Sequence, residues 1–206
     1  MDAAAPPSNL NIANALTVLR IAGVPVFGWL LLTDGGQDIS LRVWAWVAFA
    51  LLMLTDRIDG DLARAKNLVT NFGKLADPIA DKALTGMAFI GLSIIFRDHE
   101  YGWLFIAITV IVLVREWGIT IMRFFIKKYG VMPASQGGRI KTTLQALALG
   151  GYILPFELWD NTACDVLRWI THVLMAGAVG ITIVTAVQYV RDARSIRRDA
   201  LAAQES

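Results

Sequence analysis

A single cysteine, Cys164, leaves this chain without a partner for an intrachain disulfide. The two histidines, His99 and His172, stand alone, and no Cys/His cluster has zinc spacing. Neither is assigned a chemical role. Charge of one sign is also scarce: the formal net charge is only +2, so nothing favours a nucleic-acid partner. The N-terminus carries Asp2 where a signal peptide would be basic, and no cleavage pattern follows. Membrane insertion is therefore expected to use spans that the protein keeps. Internal repeats and low-complexity segments are missing too.

Apolar residues are what the chain has in plenty. They make up 56% of its 206 residues, where soluble domains run at about 45–50%. The length suits a single domain, 1–206. Seven tryptophans suit a chain with membrane interfaces to anchor. Six apolar stretches lie near 14–33, 41–64, 77–96, 102–126, 140–156 and 166–190. Trp169 to Val190 is 22 residues without Asp, Glu, Lys or Arg, enough to cross a hydrocarbon core of roughly 30 Å. Other uncharged runs are shorter: 13 residues for Val43–Thr55, and 14 each for Ala83–Phe96 and Tyr101–Val114. At about 1.5 Å per residue these reach only about 20 Å. Either they are soluble core helices or charged groups enter the membrane.

Loop charges decide between these. If the segments between spans alternate sides, one side holds Arg64, Lys66, Lys74, Arg123, Lys127, Lys128, Arg139, Lys141, Arg191, Arg194, Arg197 and Arg198. The other holds Arg42, Arg97 and Arg168, with Asp34, Asp38, Asp98, Glu100, Glu157, Asp160 and Asp165. The positive-inside rule makes the first side cytoplasmic. The expected fold is an all-α integral membrane domain with six transmembrane helices and both termini in the cytoplasm. A short amphipathic helix, 9–15, capped by Ser8, is expected to lie on the membrane before span one. Pro25 is expected to kink that span. The tail, 192–206, reads as a basic, partly flexible helix near anionic headgroups.

Every charge that intrudes on a span does so from the cytoplasmic side. Asp56 and Asp59 end span two, and Asp77 and Asp81 begin span three. Arg115 and Glu116 fall in the inner half of span four, and Arg139 and Lys141 open span five. Ionisable groups in a membrane face a bundle interior or a wet cavity. One polar cavity, open to the cytoplasm, is expected.

Asp56 and Asp59 are three apart and Asp77 and Asp81 four apart, so each pair shares a helix face. Arg64 falls on about the same face as Asp56, and Gly60 permits close approach there. Four carboxylates together need positive compensation. Hard oxygen donors suit Mg²⁺, Mn²⁺ or Ca²⁺, and two such ions would balance the charge. A pair about 3.5–4 Å apart is the usual arrangement for displacement at phosphorus. On spacing alone another reading stays open, in which the aspartates pair with Arg57, Arg64, Lys74 and Lys82 as structural salt bridges. A cation transporter could also use intramembrane carboxylates, but it needs a route across, and these charges keep to one side.

Residues 56–81 read D-R-I-D-G-D-L-A-R, eight residues, G, three residues, D, three residues, D. This resembles, at all eight fixed positions, the CDP-alcohol phosphotransferase signature D-x2-D-G-x2-A-R-x8-G-x3-D-x3-D. The resemblance favours the metal over the salt bridges. It implies a six-helix membrane homodimer, and attack of an alcohol on the lipid-proximal phosphate of a CDP-linked donor with release of CMP. It implies that Asp56, Asp59, Asp77 and Asp81 bind two Mg²⁺ or Mn²⁺ ions and that Asp81 accepts the proton. Gly60, Arg64 and Gly73 would contact or shape the CDP-lipid site, with Thr17 and Thr70 as further contacts. Asp61 occupies a free position and has no assigned role.

Asn14-Ala-Leu-Thr-Val-Leu-Arg20 is similar to the opening of the phosphatidylglycerophosphate synthase subfamily. Val69–Lys74, Arg115-Glu116, Arg123, Gly138-Arg-Ile-Lys-Thr142 and Gln145 also resemble it, with Arg139 standing where many relatives would carry lysine. The resemblance implies a bacterial inner membrane, CDP-diacylglycerol as donor and sn-glycerol 3-phosphate as acceptor. Arg115, Arg123, Arg139 and Lys141 would bind the acceptor's phosphate, arginine as a bidentate fork and lysine as a point charge. Glu116 would orient an arginine, and Lys127 and Lys128 would meet lipid headgroups. A cardiolipin synthase or inositol-phosphate transferase of the same fold remains the nearest competitor.

Overall fold

The computed structural model describes residues 12–65, 70–126, 136–159 and 161–205. Six α-helices account for most of them: α1 Ile12–Leu32, α2 Ile39–Ala65, α3 Asn71–Phe96, α4 Gly102–Ile126, α5 Gln136–Ile153 and α6 Thr162–Glu205. All except α5 are long and apolar enough to cross a membrane. The all-helical expectation is met, and α5 is the helix whose polar opening dilutes its hydropathy.

Burial in this bundle inverts the pattern of a water-soluble protein. Arg20 and Arg42 are fully enclosed, while Trp44, Trp103 and Trp169 are each more than 60% exposed. Apolar outward surface on this scale is at home in lipid, and enclosed charge is at home in a bundle interior. In α1 one stripe carries the inward face: Asn14, Thr17, Arg20, Val24, Phe27 and Leu31 are buried in steps of three and four. Its first half is polar and its second apolar, so the interior changes character along the membrane normal.

The apolar half is the core. Phe27, Leu31, Phe49, Leu84, Phe89, Leu92, Leu149 and Ile153 pack there with little or no exposure. Ala45, Ala88 and Ala148 are fully buried between helices, where small side chains allow close backbone approach. The helices pack α1 against α2 and α3, α4 against α3 and α6, and α5 chiefly against α6.

The chain reverses between α1 and α2 through a 3-10 turn, Thr33–Gly36, with Asp34, Gly35 and Gly36 at positive φ. A Cβ on Gly36 would meet Ile95 Cδ1 at 2.7 Å. The next helix is capped by Asp38, whose Oδ1 accepts the Leu41 N–H at 3.0 Å. Asn161 caps α6 in the same way, accepting the Cys164 N–H at 2.9 Å. This end of the bundle is fastened by Arg42. Its guanidinium donates to Ile153 O, Gly36 O, Tyr152 O and Glu157 Oε1, at 2.7–3.1 Å.

One expectation changes. Residues 12–15, expected in a separate surface helix, open α1 instead: nothing between Ile12 and Ala22 breaks the helix, and Asn14 faces inward with Thr17 and Arg20. Residues 9–11 lie outside the described residues. The segment beyond Arg191 continues α6 without interruption to Glu205. Pro25 lies inside α1, which runs through it as one helix.

Candidate active site

At the end of the bundle opposite Arg42 lies a cavity of about 690 Å³. Asp56 from α2 and Asp81 and Lys82 from α3 line one part. Arg115, Glu116 and Arg123 from α4, Lys141 from α5 and Tyr189 from α6 line the rest. Carboxylates thus face cations across one enclosed space.

The first helix holds the acidic wall. Arg20, fully buried, pairs with Asp56 at 2.5 Å. Thr17 Oγ1 donates to Asp77 Oδ1 at 2.6 Å. Thr70 Oγ1 donates to Asn14 Oδ1 at 2.9 Å, tying the start of α3 to the start of α1. Polar residues three apart on α1 therefore meet the beginning of α3 and the end of α2 in turn. Asp56 also lies within electrostatic reach of both Asp77 and Asp81.

The basic wall is organised around three acceptors, Glu116, Thr185 and Tyr189. Glu116 is bonded by Lys141 Nζ and approached by Arg115 Nη1 at 3.3 Å. Arg115 Nη2 donates to Thr185 Oγ1 at 2.8 Å, and Arg123 Nη2 to the Tyr189 hydroxyl at 2.7 Å. Four cations, Lys82, Arg115, Arg123 and Lys141, share this cavity with three carboxylates, and of these only Glu116 stands among the basic side chains of α4 and α5. The wall retains positive charge for an anion.

The sequence profile of CDP-alcohol phosphatidyltransferases matches residues 10–187. The chain belongs to this family. It is 43% identical over 194 residues to a protein named probable phosphatidylglycerophosphate synthase from Mycobacterium tuberculosis (strain CDC 1551 / Oshkosh), covering 92% of this chain and 87% of that one. It is 34% identical over 192 residues to the CDP-diacylglycerol–glycerol-3-phosphate 3-phosphatidyltransferase of Bacillus subtilis (strain 168), covering 87% and 93%. A shorter likeness, 34% over 124 residues, links it to a CMP-forming cardiolipin synthase of Streptomyces coelicolor, covering 60% and 55%. Membership in a family of transferases removes the ground for a cation transporter.

Of the phosphatidyltransferase residues expected from sequence, Asp56, Asp81, Arg115, Arg123 and Lys141 come together around the cavity. Asp77 lies one turn before Asp81 on α3, engaged by Thr17. Thr17 and Thr70 are buried and bonded within the protein. Asp59, Gly60 and Arg64 fall on α2, Gly73 on α3 and Arg139 on α5; their side chains lie outside the described residues, as do Lys66, Lys127 and Lys128. Sequence reasoning missed Arg20 as the partner of Asp56, Lys82 as a wall residue, and Thr185 and Tyr189 altogether.

The family is generally divalent-metal dependent. Asp56, Asp77 and Asp81 offer hard oxygen donors, with no thiolate or imidazole in the cavity lining, which fits Mg²⁺ or Mn²⁺ rather than zinc. Among the described residues no three acidic, His or Cys side chains already converge as a ligand set. Asp56 is turned to Arg20 and Asp77 accepts from Thr17.

Proposed function

We propose that this protein transfers the phosphatidyl group of CDP-diacylglycerol to sn-glycerol 3-phosphate, giving phosphatidylglycerophosphate and CMP. The observation that carries the reading is the two-walled cavity: Asp56 and Asp81, with Lys82 beside them, share it with Arg115, Arg123 and Lys141. An acidic wall suits a metal-bound diphosphate, and a basic wall suits a small phosphate-bearing alcohol. The relatives named for this activity align over nearly the whole chain.

In this reading Asp56, Asp59, Asp77 and Asp81 hold two Mg²⁺ or Mn²⁺ ions. When bound, the metal supplies positive charge against the developing charge of the CMP leaving group. Gly60, Arg64 and Gly73 meet the nucleotide and diphosphate, with Thr17 and Thr70 behind them. The acyl chains leave sideways into lipid. Arg115, Arg123, Arg139 and Lys141 hold the acceptor's phosphate so that its 1-hydroxyl points at Asp81. The Asp81 carboxylate takes the hydroxyl proton as the oxygen–phosphorus bond forms and the bond to CMP breaks. The domain, 1–206, works as a six-span homodimer in a bacterial inner membrane, with both termini and the cavity on the cytoplasmic side.

The test is CMP release by purified protein given CDP-diacylglycerol, Mg²⁺ or Mn²⁺, and a panel of acceptors. Glycerol 3-phosphate should be preferred. Preference for phosphatidylglycerol would instead favour a cardiolipin synthase, in line with the shorter Streptomyces likeness. Preference for an inositol phosphate would reassign the acceptor too.

A further inference from the structure

The longest helix offers two polar groups to the arginines of the cavity from a segment that carries no charge; Tyr189 lines the cavity itself, and Thr185 lies behind Arg115. In α6, Thr171, Met175, Ala178, Thr182, Thr185, Tyr189 and Ala193 are buried in steps of three and four. This single stripe faces α4 and α5. Thr171 and Thr182 bond back to the carbonyls of their own helix, but Thr185 and Tyr189, one turn apart, reach the two arginines of α4.

The geometry around Tyr189 is specific. Its hydroxyl accepts from Arg123 Nη2 at 2.7 Å. The Arg123 guanidinium carbon lies 4.8 Å from the ring centroid, and that of Arg115 lies 5.7 Å from it. Both cations are within the range at which an aromatic ring attracts them. Two guanidinium groups brought together repel one another. A carboxylate between them would relieve this, but it would also neutralise the charge that an anionic substrate needs. A phenol ring attracts both and cancels neither. Thr185 acts in the same sense: its neutral hydroxyl accepts from Arg115 Nη2. Arg115 Nε is buried without a hydrogen-bond partner among the described residues.

Resting on the reading of this cavity as the acceptor pocket, we propose that Tyr189 is a positioning residue that sets Arg115 and Arg123 as a two-armed clamp for the acceptor's phosphate. Thr185 sets the Arg115 arm. Acceptor affinity is thus governed partly by α6, which supplies no charge of its own to the clamp.

The experiment measures CMP release in proteoliposomes, varying donor and acceptor separately, for wild type, Tyr189→Phe, Tyr189→Leu and Thr185→Val. Tyr189→Phe keeps the ring and loses the hydroxyl, while Tyr189→Leu loses both. The expected result is an acceptor KM raised about tenfold in Tyr189→Leu and less in Tyr189→Phe, with donor KM unchanged. Thr185→Val should also raise the acceptor KM alone. Unchanged acceptor KM, a parallel rise in both KM values, or a fall in kcat alone would overturn the proposal. If Tyr189→Leu does not fold, the other two variants decide on the same criterion. A wild-type protein that ignores glycerol 3-phosphate fails the functional reading. One that uses it, with variants indistinguishable from wild type, fails this inference alone.

Discussion

Arg42→Met tests whether the end of the bundle remote from the cavity is held by one buried cation. The side chain is fully enclosed and its ion-pair partner Glu157 keeps 19% exposure. Methionine removes donors from three carbonyls, those of Gly36, Tyr152 and Ile153, and leaves the Glu157 carboxylate unpaired. Each buried group left unbonded costs about 1–3 kcal/mol, so a plain sum approaches about 10 kcal/mol. That sum is too high, because the site lies at loop level and water can reach Glu157 and part of the turn. Breaking a buried pair by removing one partner costs about 3–5 kcal/mol, and this is the expected loss. The assay is thermal unfolding in detergent or nanodiscs, where the midpoint should fall by at least about 6 °C. CMP release per folded molecule should not change, since Arg42 is remote from the cavity. Adding Glu157→Leu to Arg42→Met should cost less than the sum of the two single changes, because the carboxylate is no longer stranded. A midpoint within about 1 °C of wild type would refute the argument.

Other outcomes follow from the cavity end of the bundle. Asp81→Asn should lower turnover by about 10²–10⁴-fold while retaining much donor binding, measured by CMP release beside CDP-diacylglycerol binding; near-normal turnover rules out Asp81 as the base. In Arg20→Met the Asp56 carboxylate loses its buried partner, so the metal-free protein should lose about 2–4 kcal/mol. The gap in unfolding midpoint between chelator and Mn²⁺ should then widen relative to wild type, and an unchanged gap contradicts the role of Arg20. Glu116→Gln should raise the acceptor KM about three- to tenfold, because Lys141 and Arg115 lose the carboxylate that orients both. A lowered KM would mean that the added net positive charge outweighs orientation.

The helical fold and the paired aspartates were legible in the sequence because each leaves a strong local signal. Long apolar runs separated by loops of alternating charge mark the spans, and eight fixed residues between Asp56 and Asp81 mark the acidic wall. The fifth helix was harder, since Gln136, Arg139 and Lys141 crowd its start and leave too short an apolar run. Arg42 read only as an exception to the positive-inside rule. In the structure three carbonyls from two chain reversals and Glu157 converge on it. Those acceptors lie up to 115 residues away, so no local pattern announces them.

The polar face of α6 stayed hidden for a different reason, and that of α1 was marked only by the likeness of Asn14–Arg20 to the subfamily's opening. Threonine and tyrosine shift hydropathy little, so they vanish inside an apolar run. Their phase does not vanish: Asn14, Thr17 and Arg20 are three apart, and Thr182, Thr185 and Tyr189 follow in steps of three and four. In water such a stripe would be the solvent side of an amphipathic helix. In lipid the same stripe must turn inward, because the outer face has no hydrogen-bond partner to offer. Applied to α1, that inversion aims Thr17 and Arg20 at the aspartates. Applied to α6, it aims Thr185 and Tyr189 at the arginines. The neutral polar residues of a transmembrane helix therefore locate the cavity as firmly as the charges do, and here they identify which helices orient those charges.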